Sequence, residues 1–145
     1  MDSIRVRVLR SGAKLPTYGS EGAAGADLYA CLEQEIWVQP GETVFIPTGL
    51  SMEIPFGYVG LIYARSGLAC KRGLAPANKV GVIDSDYRGE FIVVLHNHST
   101  EPQMIVNGER VAQLLITPVI TPCYTLVDEL SETQRGGGGF GSTGK

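Results

Sequence analysis

Ile4-Arg5-Val6-Arg7-Val8-Leu9 is the stretch that decides the fold class. Apolar and charged residues alternate along it with a period of two, which sorts the side chains onto the two faces of a strand. Outward from this run, apolar segments of strand length recur at Thr43–Ile46, Tyr58–Tyr63, Phe91–Leu95 and Val111–Ile116. Turn signals stand between them: Pro40-Gly41, Pro55-Phe56-Gly57 and Asn107-Gly108. Eight prolines, spread from Pro16 to Pro122, interrupt every candidate helical period. Short strands at near-regular spacing predict an all-β sandwich or barrel. One short helix is expected at Ser66–Lys71, after the Arg65-Ser66-Gly67 turn. No internal repeat or linker divides the chain.

The 145 residues suit one domain, and 43% hydrophobic with 19% charged residues is a globular composition. A net charge of -3 supplies no basic footprint for duplex nucleic acid. An anionic substrate would be met by a few placed cations. Met1-Asp2-Ser3-Ile4-Arg5 lacks the apolar run of a signal peptide, and no segment approaches the roughly 20 apolar residues that span a bilayer. Cys31, Cys70 and Cys123 lie far apart with no C-x-x-C pair, which argues against a zinc site or a disulfide framework. A cytoplasmic location is the expectation.

The chain changes character at its end, so a body over 1–132 and an arm over 133–145 are expected. From Thr133 to Lys145 there is no aliphatic residue, and six glycines accompany a single aromatic, Phe140. Such a segment buries too little surface to offset its ordering entropy. A frayed tail is one reading. The other is a flexible arm that closes over a nucleotide, with Arg135 meeting phosphate and Phe140 stacking on a base. It is not a P-loop, since no Gly-Lys-[Ser/Thr] follows.

Four further segments carry more chemistry than structure alone requires. Ala24-Gly25-Ala26-Asp27-Leu28-Tyr29 sets one acid among small residues. Ala64-Arg65-Ser66-Gly67-Leu68-Ala69 places a cation and a hydroxyl where a helix opens, with backbone N–H groups able to hold an anion. Asn78 to Gly89 reads as a hairpin carrying Asp84, Asp86 and Tyr87. Gly108-Glu109-Arg110-Val111-Ala112-Gln113 opens an apolar strand with a lone glutamine. Each also has a plain structural reading. Asp27 would cap a turn, Arg65 would sit in a surface ion pair, Asp84-Ser85-Asp86 would form a turn, Gln113 would satisfy a strand edge, and Arg110 beside Glu109 would be structural.

Taken with the arm, these segments resemble the five motifs of the trimeric dUTPase family, in that family's order, from Ala24 to Gly144. GVIDSDYRG (Gly81–Gly89) and the RGGGGFGSTG arm are the most specific pieces. The resemblance implies a jelly-roll-like distorted β-barrel of the β-clip type, and hydrolysis of dUTP to dUMP and pyrophosphate. That reaction limits uracil incorporation into DNA and supplies dUMP for thymidylate synthesis.

It also implies roles. Asp84 would orient and activate the water that attacks the α-phosphorus. Tyr87 would pack under the deoxyribose and refuse a 2′-OH. Asn78 and the backbone around Gly81 would read uracil, whose acceptor–donor–acceptor edge cytosine cannot reproduce without leaving buried partners unpaired, a discrimination on the order of 10⁴-fold. Arg65, Ser66, Gly67 and Gln113 would hold the phosphates. Arg135 would reach the γ-phosphate, with Phe140, Gly141 and Ser142 closing over the nucleotide. Asp27 would act on Mg²⁺ indirectly, through a metal-bound water, because Mg²⁺ keeps several waters and takes other ligands from the triphosphate. The family's sites are shared between subunits, so a homotrimer is implied.

Three other readings compete. A dCTP deaminase of the same fold would need a glutamate where Val94 stands. A non-catalytic nucleotide sensor would have no use for Asp84. His96-Asn97-His98 as a nuclease-like metal pair lacks nearby carboxylates.

Overall fold

The alternating run at the N-terminus forms strand β1 (Arg5–Val8) in a computed structural model that describes residues 3–141. Eleven more strands follow among the described residues: β2 (Thr17–Tyr18), β3 (Ala26–Tyr29), β4 (Ile36–Val38), β5 (Thr43–Pro47), β6 (Leu50–Glu53), β7 (Tyr58–Tyr63), β8 (Leu74–Pro76), β9 (Gly81–Ile83), β10 (Ile92–Asn97), β11 (Gln103–Ile105) and β12 (Arg110–Pro118). The five expected strands are all present, with no end shifted by more than two residues. Helix α1 (Ser66–Arg72) lies where it was expected. It ends at Gly73, whose φ of 67° is left-handed and whose N–H caps the carbonyls of Leu68 and Ala69.

The all-β class is met, but the strands make four sheets, and no closed barrel joins them among the described residues. A five-stranded sheet runs in the order β2-β3-β12-β7-β9 and a three-stranded one in the order β5-β10-β8, with pairs β1-β6 and β11-β4 beside them. The core between them is fully apolar at Leu28, Ile46, Leu50, Leu74, Phe91 and Leu95, each with no more than a trace of exposure. A ring such as Phe91, fully removed from water, contributes about 1.5–3 kcal/mol. It also ends the segment that carries Asp84. Its N–H donates to the Leu50 carbonyl at 2.8 Å, and its carbonyl accepts the buried Thr48 hydroxyl at 2.6 Å.

The Asn78–Gly89 stretch differs from the hairpin expectation. β9 pairs with β7 and β10 pairs with β5 and β8, so the two strands that flank the acids belong to different sheets. The segment is a crossing between sheets. Within it, Tyr87 N–H donates to the Asp84 carbonyl at 3.2 Å, so the turn anticipated at Asp84-Ser85-Asp86 is present.

A phosphate-sized depression and a separate acidic one

β12 is central in its sheet, and its register decides what gathers there. Asp27 on β3 and Tyr63 on β7 are the cross-strand neighbours of Gln113 on either side. Gln113 is therefore not a strand-edge residue. Its Nε2 donates to the Ala64 carbonyl at 2.8 Å. The approach of Gly25 fixes its other end, for a Cβ on Gly25 would lie 2.5 Å from Gln113 Oε1. No left-handed φ demands glycine at position 25. The requirement is the close contact alone.

Asp27 caps no turn. It is nearly buried, and each carboxylate oxygen meets a guanidinium: Arg65 Nε at 2.7 Å from Oδ1, and Arg110 Nη1 at 3.2 Å from Oδ2. The Arg65–Asp27 pair is only 26% and 12% exposed, so it is screened less than a surface bridge. Asp27, Arg65, Ser66, Gly67, Arg110 and Gln113 line one depression of about 240 Å³. Two guanidiniums against one carboxylate leave it positive, in a chain whose net charge is -3. Four of the expected phosphate-holding residues and the expected metal-linked acid are thus together.

Arg110 is the residue that pattern reading sets aside. Strict alternation would put it on the face of Ala112 and Leu114, both buried. The register shifts between Arg110 and Ala112, and this bulge turns Arg110 to the Gln113 side. A second guanidinium within reach of Asp27 is a consequence of that one irregularity.

The expected catalytic acid lies elsewhere. Asp84, exposed at the end of β9, shares a second depression, also about 240 Å³, with Val82, Ile83, Tyr87, Glu90 and Ile92. Tyr87 donates its hydroxyl to the Glu90 carbonyl at 3.0 Å, and its ring stands 6.3 Å from that of Phe91. Asn78 and Gly81 sit at the opposite end of β9 and line neither depression. Gly81 pairs with Ile62, and Tyr63, one residue on, pairs with Gln113. Counting strand spacings and rises from there separates Asp84 from Gln113 by roughly 16 Å within one chain. Each depression is also smaller than the roughly 300–1,000 Å³ of a pocket that encloses a ligand.

Among the described residues, those of the arm line neither depression. Arg135 Nε donates to the Gly138 carbonyl at 2.8 Å within the arm itself, and Phe140 is fully exposed with φ 51°. Gly141 is exposed beside it; Ser142 lies outside the described residues. The exposure begins earlier. Ile120, Tyr124, Leu126 and Leu130 are each at least 86% exposed, an apolar strip left uncovered among the described residues.

Val94, opposite Phe45 across β10 and β5, lines neither depression. His96 Nδ1 and the Thr43 hydroxyl share a hydrogen bond at 2.8 Å, and its ring stacks edge-on with His98 at 4.5 Å. No group of three His, Cys, Asp or Glu side chains gathers to hold a metal among the described residues. The donor chemistry nevertheless fits Mg²⁺ in the outer-shell manner. A carboxylate has about four acceptor positions, and Asp27 uses two of them on the arginines. No helix among the described residues is long and apolar enough to cross a membrane.

Comparison with known proteins gives one family. The dUTPase family model matches residues 11–144. The deoxyuridine 5'-triphosphate nucleotidohydrolase of Desulfitobacterium hafniense is 52% identical over 149 residues, covering 99% of both chains. That of Syntrophotalea carbinolica is 47% identical over 142 residues, covering 98% of this chain and 97% of the other. Among solved structures, a mutant of the Staphylococcus bacteriophage 80alpha dUTPase with dUpNHpp superposes with a TM-score of 0.89, at 29% identity and full coverage of both chains. A mutant dUTPase from phage phi11 of S. aureus, described with a structural Mg(II) ion, gives 0.79 at 27% identity, covering 88% of this chain and 98% of that one.

Proposed function

We infer the function from a plain premise: the chain belongs to the dUTPase family. It is an enzyme, a dUTP diphosphatase, and it hydrolyses dUTP to dUMP and pyrophosphate. The observation that carries the chemistry is the second depression, where an exposed carboxylate and a sugar-sized aromatic wall, Asp84 and Tyr87, stand side by side.

In the mechanism we propose, Asp84 holds a water in line with the α-phosphorus and takes its proton as the new P–O bond forms. The bond from the α-phosphorus to the oxygen shared with the β-phosphorus breaks, and pyrophosphate leaves. Orientation and a proton acceptor in reach are what such a water requires. Ser66 faces the scissile region. Arg65, Arg110 and the amide of Gln113 carry the charge of the phosphate chain, already oriented by Asp27 and Ala64 before substrate arrives. Asn78 and Gly81 read the uracil edge. Arg135 adds a cation at the γ-phosphate while Phe140, Gly141 and Ser142 cover the base, which excludes stray water. When bound, Mg²⁺ would neutralise phosphate charge, its water shell held through Asp27 and its other ligands supplied by the triphosphate.

The same spacing supports a homotrimer with shared sites. An attacking water must lie within a few ångströms of both the acid and the phosphorus, and roughly 16 Å separates Asp84 from Gln113 in one chain. The uncovered apolar strip from Ile120 to Leu130 supports packing of each tail on another copy. Gel filtration with light scattering tests this; an active monomer would sink it. A cytoplasmic enzyme is the matching location.

The activity is tested by pyrophosphate release from dUTP, dCTP, dTTP and UTP in parallel with Mg²⁺ present. Release from dUTP alone is expected. Ammonia from dCTP, or binding of dUTP without release, would overturn the assignment.

A further inference from the structure

Gly89 lies against the hydroxyl end of the Tyr87 ring. A Cβ built on it would stand 2.5 Å from Cζ and 2.9 Å from Cε2 of that ring, and closer still to the phenolic oxygen. Real Cβ atoms do not approach other atoms so closely, so any side chain at position 89 must displace the ring. Gly89 has no left-handed φ, and its backbone would accept an L-residue. The neighbour that a Cβ would strike is the tyrosine. What a side chain at this position would disturb is therefore the placement of the Tyr87 ring and not the turn.

The ring is held from one further side. Its hydroxyl donates to the Glu90 carbonyl. The Glu90 carboxylate in turn accepts Gly49 N–H at 2.7 Å and Arg10 Nη2 at 2.6 Å. Tyr87 also lines the depression that holds Asp84, and it is 42% exposed. Because Tyr87 lines that depression, its shape depends on where the ring sits. Only a residue without a side chain at 89 lets the ring sit where it does.

We propose that Gly89 is a specificity-determining positioning residue, which fixes the plane of the Tyr87 ring and thereby the selection of deoxyribose over ribose. The inference rests on Tyr87 acting as the sugar wall, and adds that the wall's position is set by an absent side chain. Displacing the ring would move the surface on which the deoxyribose packs, so both sugars would be held badly and the preference between them would shrink. A shift of about 1 Å at a packed reacting site is enough for a change on the order of 10²-fold.

The test is a double-mutant cycle read as the ratio of kcat/KM for dUTP to that for UTP, with Tm measured for every variant. Tyr87→Ala should lower the ratio. Gly89→Ala should lower it about 10- to 100-fold in the native background. In the Tyr87→Ala background, Gly89→Ala should change it less than about twofold, since no ring remains to be pushed. If Gly89→Ala destabilises the protein, adding Tyr87→Ala should restore Tm toward that of Tyr87→Ala alone. An unchanged ratio in Tyr87→Ala would remove the sugar-wall reading and this inference with it. A drop in Tyr87→Ala but none in Gly89→Ala, or equal Gly89→Ala effects in both backgrounds, would overturn the positioning role alone.

Discussion

The two depressions solve opposite problems. The one around Asp27 is charged and half-buried, and its side chains are tied before any ligand arrives: two arginines share one carboxylate, and the glutamine amide is pinned to a backbone carbonyl. The one around Asp84 leaves its acid exposed and without a hydrogen-bonding partner among the described residues, beside a ring propped by a glycine. Holding a polyanion rewards fixed cations, because preorganised charge need not reorient when the substrate binds. A proton acceptor must instead stay open to the water it serves.

The difference can be broken most sharply at Asp84. Asp84→Asn should lower kcat by about 10²–10⁴-fold while an unreactive dUTP analogue binds as before, because the carboxylate acts mainly in the transition state. Weakened analogue binding, by calorimetry, would mean that Asp84 is a substrate ligand and that the contrast is misdrawn. Deleting residues 133–145 should reduce turnover by about 10²-fold with Tm unchanged, since the described arm residues bond only among themselves. A large fall in Tm would make the arm part of the fold. The smallest effect is expected at Gly25. Gly25→Ala would displace Gln113 and raise KM for dUTP about tenfold, the scale of one hydrogen bond to a charged group. It should leave the dUTP-to-UTP ratio untouched, unlike Gly89→Ala. A change in that ratio would show that the two depressions do not divide phosphate from sugar.

Legibility follows periodicity. β1, β7 and β12 announce themselves because their side chains alternate or run apolar between turn residues, and the helix because a turn precedes it. Arg110 escapes because a bulge breaks the alternation that any pattern reading assumes. The stretch around Asp84 passes for a hairpin because local composition carries turn chemistry, whereas the choice of partner strand depends on distant residues. Motif order places Arg65, Ser66, Gln113 and Asp84 in one reaction, yet it cannot state that two of these groups lie far apart in a single chain. Gly25 and Gly89 are ordinary glycines on paper. Their necessity is visible only once Gln113 and Tyr87 stand against them.

The distance between Asp84 and the guanidinium-lined depression has a genetic consequence. An allele carrying Asp84→Asn and another carrying Arg65→Ala would each lose most of the activity by itself. In the shared-site trimer proposed above, their products expressed together would form hybrids in which an intact acid from one polypeptide meets an intact cation set from the other, and a fraction of the activity would return. Loss-of-function alleles of this gene should therefore sort into two complementing groups, divided by which depression they damage.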